Sequence, residues 1–260
     1  MSAPLNKHYK ATGLIIGKRN FLEADKIIYI FSREKGILQT VVRGARRTKS
    51  KLSGITELFI YGDFEIVKGK KLDILISAKP LNYFDNATRT LETISDYFII
   101  SEVLQKLLPE AVPNPQIFSE TLDVFGSLNE EKNRPYVTSL YIYKLIVLLG
   151  YGLRLDRCAA CKRPVEAGEN YFLSFGEGSL FCENCKKESD LLPVASEVIK
   201  LLKFIEANAF PRYSIISMPR GTEEEASKLI SKYLDFIYQR EFKARRFAKD
   251  LKSLSKNAGE

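Results

Sequence analysis

Lys26-Ile-Ile-Tyr-Ile-Phe-Ser-Arg-Glu-Lys-Gly-Ile-Leu-Gln-Thr-Val-Val-Arg-Gly44 decides the fold of the N-terminal third. Two runs rich in β-branched and aromatic residues, Lys26–Ser32 and Ile37–Gly44, flank Glu34-Lys35-Gly36, which reads as a turn. The same composition continues outward. Ala11–Gly17 precedes the pair, and Leu58–Gly69 and Leu72–Ala78 follow it, separated by a second turn at Gly69-Lys70-Lys71. Five short strands in residues 1–80 would leave open edges unless they close on themselves, so a small barrel is expected. An OB-fold is the leading candidate, and an SH3-like barrel fits the strand count almost as well.

At Lys79-Pro80 the period changes from two to steps of three and four. Phe84, Ala87, Leu91, Ile94 and Phe98 fall on one face of an amphipathic helix expected between Tyr83 and Leu108, which Pro109 and Pro113 end. A second helix is expected from Pro115 to Phe125, then a polar loop at Asn129–Asn133. Val137–Gly150 is apolar nearly all round, as a buried central helix would be, with Gly150 at its end. Two later helices carry core stripes through Val198, Leu201, Leu202 and Ile205, and through Ala226, Leu229, Ile230, Tyr233 and Ile237. The last opens with Thr222 and Glu225 spaced as a capping box. The expectation is an α+β protein of two domains, a barrel over 1–80 and an α-helical domain over 81–260, ending in a polar stretch at Leu254–Glu260.

Charge is unevenly distributed between these parts. Residues 1–80 hold 16 Lys and Arg against 7 Asp and Glu, whereas residues 81–260 hold 24 against 25. The whole net charge of +8 therefore lies in the predicted barrel, the footprint of a polyanion-binding surface. Its densest part is Arg43-Gly-Ala-Arg46-Arg47-Thr-Lys49-Ser-Lys51, five cations in nine residues with no acid, set between two strands. Arginine forks match phosphate oxygens, and such a cluster gains from counterion release. Lys18 and Arg19, after the first strand, extend the candidate patch. Tyr29, Phe31, Phe59 and Tyr61 can stack on bases but are expected to fill the barrel core.

The four cysteines stand as Cys158-Ala-Ala-Cys161 and Cys182-Glu-Asn-Cys185, with twenty residues between the pairs. This spacing suits two knuckles that each turn two thiolates toward one tetrahedral zinc, and Tyr171–Phe181 reads as a hairpin folding back at Phe175–Gly178. Rubredoxin-type iron shares the spacing. Met1–Lys10 has no apolar core of a secretion signal, which disfavours disulfides, and two pairs rather than one disfavour a redox motif. Four thiolates fill a tetrahedron and leave no place for water, so the site, embedded at about 155–190, is expected to be structural. His8, the single histidine, lies far off and reads as a surface residue.

No enzyme is expected. Gly13-Leu-Ile-Ile-Gly17-Lys18 falls short of a phosphate loop, with three residues between its glycines and no following helix. Nucleophile–histidine sets and spaced acidic motifs are also wanting. The longest apolar run, Tyr136–Leu149, is broken by Lys144 and is shorter than the roughly 20 residues a membrane span needs. A cytoplasmic protein is expected, without membrane contact.

Three stretches, taken together, resemble the RecO family. They are Phe21-Leu-Glu-Ala-Asp25-Lys26 leading through Phe31-Ser-Arg-Glu-Lys-Gly36 to Val42-Arg-Gly-Ala-Arg-Arg47 and Lys49-Ser-Lys51-Leu52, then Leu149-Gly-Tyr-Gly-Leu-Arg-Leu-Asp-Arg-Cys158, and finally Tyr238-Gln-Arg-Glu-Phe-Lys-Ala-Arg-Arg-Phe247. The resemblance implies an OB-fold joined to a helical domain with an embedded zinc module. It implies a nucleoid-associated mediator of the RecF pathway, acting in DNA repair and recombination without covalent chemistry. Such a protein binds single- and double-stranded DNA and anneals strands coated with single-strand-binding protein. It engages that protein's acidic C-terminal tail and, with RecR, helps load RecA. Lys243, Arg245 and Arg246 are candidates for a basic surface near the tail groove. By charge alone, an RNA-binding or ribosome-associated barrel protein fits equally well, because phosphate contacts do not read the sugar. A zinc enzyme acting on nucleic acid is the third reading, which an open zinc position would distinguish.

Overall fold

In the computed structural model, placement is described for residues 8–84, 90–128, 136–186, 191–216, 218–219 and 221–239. Ala87, the polar loop at Asn129–Asn133, Lys243, Arg245, Arg246 and Leu254–Glu260 lie outside them. Residue contacts divide the chain into two units, Met1–Glu131 with Phe242–Glu260, and Lys132–Glu241.

The first unit is built on five strands: β1 (His8–Phe21), β2 (Asp25–Ser32), β3 (Gly36–Val42), β4 (Ile60–Val67) and β5 (Asp73–Tyr83). They close into a barrel in the order β1-β2-β3-β5-β4, with β3 and β5 parallel and every other pair antiparallel. Closure depends on the length of β1. Its first half, His8–Leu14, pairs with β4, and its second, Gly13–Phe21, pairs with β2. At the change of partner, a Cβ on Gly13 would stand 2.5 Å from Ile30 Cγ2 and 2.7 Å from the Phe31 carbonyl. Only glycine lets the strands cross there. Ile15, Ile28, Ile30, Val42, Phe64 and Ile66 fill the interior, and Ala45, just past β3, joins them. The phosphate-loop likeness at Gly13–Lys18 is thus a strand.

The aromatics expected inside the barrel lie on its outer surface. Phe31 packs edge-on against Phe118 at 5.3 Å, and Phe59 meets Tyr97 at 5.3 Å and Phe98 at 5.2 Å. These partners belong to α1 (Leu91–Leu107) and α2 (Pro115–Ser127), capped by Thr90 and Asn114. A period of two tells only that residues share a face, not that the face is internal. Two helices cover the outer face here. The expected start of the first helix at Tyr83 is also corrected, because β5 runs through Tyr83 and Phe84 follows it as a buried loop residue. Leu91 and Phe98 are exposed, and Tyr97, Ile100, Val103 and Leu104 form the buried face instead. Gly36 holds the β2–β3 turn at φ 65°, and a Cβ there would meet the Val112 carbonyl at 2.3 Å. That turn closes against the segment between the helices, where Ala111 N donates to Ile37 O at 3.1 Å.

The second unit centres on α3 (Val137–Ile146), buried as expected at every position except the half-buried Ser139, and continues into a wider turn where Gly150 takes φ 88°. Lys144 is buried with the rest. Its ammonium donates to the carbonyls of Ile205 (3.1 Å) and Glu206 (3.0 Å), which end α4 (Ser196–Ala207). Beside them β6 (Arg154–Cys158), β7 (Asn170–Ser174), β8 (Ser179–Cys182) and β9 (Leu192–Ala195) form a sheet ordered β6-β8-β7-β9. The expected hairpin is β7–β8. α5 (Thr222–Tyr238) begins at Gly221 in the left-handed region, so Thr222 enters as the first helical residue and no side chain caps the helix. The capping box is therefore not formed. Among the described residues, no helix is long and apolar enough to cross a membrane.

Candidate nucleic-acid interface and metal centre

The cationic residues gather at one end of the barrel because the strand register places them there. Asn20 pairs with Lys26, and Lys26 with Val42, so Lys18 and Arg19 on β1, Lys26 on β2 and the segment after β3 share that end. The 43–51 loop then folds onto the β1–β2 turn. Arg46 N donates to Ala24 O at 2.9 Å, and the Arg46 guanidinium donates to Glu23 O at 2.9 Å. Gly44 N donates to Asp25 Oδ1 at 2.8 Å. Buried Ala45 anchors the loop to the core. Arg43, Arg47, Lys49 and Lys51 are exposed, and their side chains have no partner among the described residues.

Lys18 and Arg19 are placed differently. Lys18 and Lys26 both ion-pair with Glu57, Lys26 at 2.9 Å. Burial pushes the Glu57 carboxyl up, but hydrogen bonds and charge from the two lysines outweigh it and hold the group below the usual carboxylate range. Arg19 donates through Nε to the Tyr29 hydroxyl at 3.1 Å. Sequence reasoning passed over Glu57, although it is the sole acid between Glu34 and Asp63. An isolated carboxylate following a dense basic loop is the signal that marks it. Next to these residues a cleft of about 710 Å³ opens between β1, β2 and α1, and a polar recess of about 400 Å³ adjoins it.

The second unit brings all four cysteines together. Cys158 ends β6, Cys182 ends β8, Cys161 stands in the first knuckle, and Cys185 closes a single helical turn after β8. Their sulfurs all lie within 4.8 Å of one another, and Cys161 and Cys182 are 3.8 Å apart. A tetrahedron with metal–sulfur bonds of about 2.3 Å has edges of about 3.8 Å, so the set fits a thiophilic ion. Donors already face the sulfurs. Cys182 N approaches Cys158 Sγ at 3.5 Å, and the Arg163 guanidinium approaches Cys182 Sγ at 3.4 Å. The Arg163 amide and guanidinium bring the Cys161 thiol down to about 6. For Cys158, burial raises the thiol, but three backbone amides outweigh it and the net shift is downward. Hydrogen bonding among the clustered thiols pushes Cys185 up to about 12. Such outer donors orient ligands and stabilise thiolate charge. His8 is exposed on β1 in the first unit and takes no part.

Two family models match successive parts of the chain. The family model "Recombination protein O N terminal" matches residues 6–84, and "Recombination protein O C terminal" matches 89–246. The chain belongs to the RecO family. The DNA repair protein RecO of Dehalococcoides mccartyi strain 195 is 28% identical over 236 residues, which cover 91% of this chain and 93% of that protein. The DNA repair protein RecO of Listeria innocua is 27% identical over 243 residues, covering 93% and 94%. The change from one RecO family model to the other falls beside the end of β5, whereas contacts group α1 and α2 with the barrel.

Proposed function

We propose that this chain is a non-enzymatic DNA repair and recombination mediator whose barrel grips sugar-phosphate chains. The barrel is read as an OB-fold because its strand order, with β3 parallel to β5, brings the two chain directions together as that fold requires. One observation carries the reading: the 43–51 loop is hydrogen-bonded onto the β1–β2 turn and leaves Arg43, Arg47, Lys49 and Lys51 exposed at the cationic end. Lys18 and Arg19 extend this surface, and Arg46 both holds the loop and faces phosphate. Annealing needs two polyanions brought together, and a fixed band of cations lowers their repulsion without bond chemistry.

Family membership and the names of the relatives support a role in DNA repair and recombination, and within it we infer action on single- and double-stranded DNA, including strands coated by single-strand-binding protein. We further infer that it engages that protein's tail, works with RecR in loading RecA, and acts in the bacterial cytoplasm at the nucleoid. Residues 1–80 are assigned the grip on DNA, and 81–260 a helical scaffold. Cys158, Cys161, Cys182 and Cys185 would hold a structural Zn²⁺ that clamps β6 to β8 and leaves no coordination position for substrate. The test is annealing of complementary labelled strands by the full chain, bare and coated. Acceleration is expected, with loss in the R46A/R47A variant. Failure to anneal, or tighter binding to RNA than to DNA of equal length, overturns the reading.

A further inference from the structure

The cleft beside the cationic end differs in chemistry from the loop. Ile16 and Leu58 give it apolar walls, and Tyr29 and Phe98 present rings to it. Phe98 is 37% exposed on a helix whose residues two and three positions on, Ile100 and Ser101, are buried. The adjoining recess is polar and is lined by Lys18, Arg19, Asn20 and Lys26. Lys18 and Arg19 belong to both, so an apolar slot and a cationic pocket share one rim. Arg19 donates through Nε to the Tyr29 hydroxyl, which leaves its terminal NH groups without a partner among the described residues and fixes them beside the ring. At the α1 wall, Ser101 is 2% exposed, and its hydroxyl has no hydrogen-bond partner among the described residues. Buried hydroxyls are rarely left so, and each one needs a reason. Gln105 spends its amide hydrogens on the carbonyls of Ile16 (2.7 Å) and Ser101 (3.1 Å), which leaves its oxygen as an acceptor.

We infer that this cleft receives one unstacked nucleobase of a single strand, with the adjoining phosphate on Arg19 and Lys18. A nucleotide unit supplies what the two recesses ask for: a flat face for Tyr29 and Phe98, a hydrogen-bonding edge for Ser101 and Gln105, and an anion for the shared rim. An acidic peptide matches the rim and the walls, but an aliphatic or phenyl side chain brings no edge to the buried hydroxyl. The inference rests on the nucleic-acid reading above and adds a base contact to a surface otherwise made of phosphate contacts.

The experiment compares an oligothymidylate with an abasic strand of equal length and charge, binding to the full chain at one salt concentration. It also follows a single 2-aminopurine in the strand. Base stacking predicts about tenfold tighter binding of the intact strand, and altered 2-aminopurine emission as the base enters the slot. Tyr29→Leu keeps an apolar side chain and removes the ring. It should bring intact-strand affinity down to the abasic level with an unchanged salt slope, and Ser101→Ala should alter preference among bases. Equal affinity of wild type for intact and abasic strands, together with unchanged 2-aminopurine emission, overturns the inference. The emission reading uses wild type alone and so stands even if a variant does not fold. An acidic peptide that binds wild type but not Tyr29→Leu, with no base dependence, also overturns it and assigns the cleft to a protein tail. If all strands bind equally and the loop cations are still required, the slot fails and the DNA reading survives. If no strand binds, the functional reading itself fails.

Discussion

Replacing Arg43, Arg47, Lys49 and Lys51 with glutamine isolates the phosphate-binding role proposed for the loop from its architecture. These four side chains are exposed and unpartnered among the described residues, whereas Arg46 ties the loop to the Glu23 carbonyl and stays in place. Ala45 remains in the barrel core, so the thermal transition should move by no more than about 0.5 kcal/mol of stability. Each phosphate contact on a single strand contributes about 0.7 to the slope of log affinity against log salt. Four contacts bring this to about 3. Raising salt from about 50 to about 200 mM should therefore cost wild type about 50-fold more affinity than the variant. Anisotropy titrations of a labelled oligonucleotide across that range give both slopes, and the loss should be the same for unrelated sequences because phosphates carry no sequence. A slope change below about one unit, or a loss confined to particular sequences, would refute the assignment of this loop to the backbone.

Three further outcomes follow from the same geometry. Glu57→Gln removes the carboxylate that holds Lys18 and Lys26, so affinity for single strands should rise at low salt, and the slope should steepen by up to about 0.7. Because the folded Glu57 value lies below the unfolded one, the stability from these pairs is complete above about pH 4.3. It is lost as pH falls through the lowered folded value, and acid titrations of wild type but not the glutamine variant should show that loss. Lys144→Met leaves two carbonyls at the end of α4 unpaired inside the second unit, and urea unfolding should report a cost of about 2–4 kcal/mol. Chelation, or Cys158→Ser, should melt the β6–β9 sheet and loosen the helices around it while leaving barrel binding to DNA in place. Metal analysis should find one thiolate-bound ion per chain.

The barrel was legible because strand propensity, turns and clustered charge agree over residues 8–83, and the four-cysteine spacing names the residues whose sulfurs the fold brings within 4.8 Å of one another. What failed shares one cause. Periodicity reports a face and not what covers it: Phe31 and Phe59 fit an interior face by period, but helices from farther along the chain bury them outside. The same limit misplaced the face of α1, where Leu91 and Phe98 fit a helical stripe but are exposed. Thr222 and Glu225 had capping spacing, yet the conformation of Gly221 moved the helix start by one residue. Glu57 was readable as a lone acid, but its two lysine partners come from β1 and β2, and only closure of the sheet joins them.

Those two lysines bear on how the surface works. A band of wholly unpaired cations holds any polyanion tightly and gives up strands slowly, which hinders annealing, where each strand must shift until it finds its complement. The carboxylate of Glu57 leaves a single net charge among the three groups, whereas the 43–51 loop keeps its exposed cations free. The cationic end is therefore graded, strong at the loop and tempered beside the cleft where Tyr29 and Arg19 stand. In the proposed function, phosphate held at the strong end would leave the neighbouring nucleotide free to exchange at the weak one. On this account Glu57→Gln should tighten binding and yet slow annealing at low salt, and a variant that both binds tighter and anneals faster would show that the grading has no part in the activity.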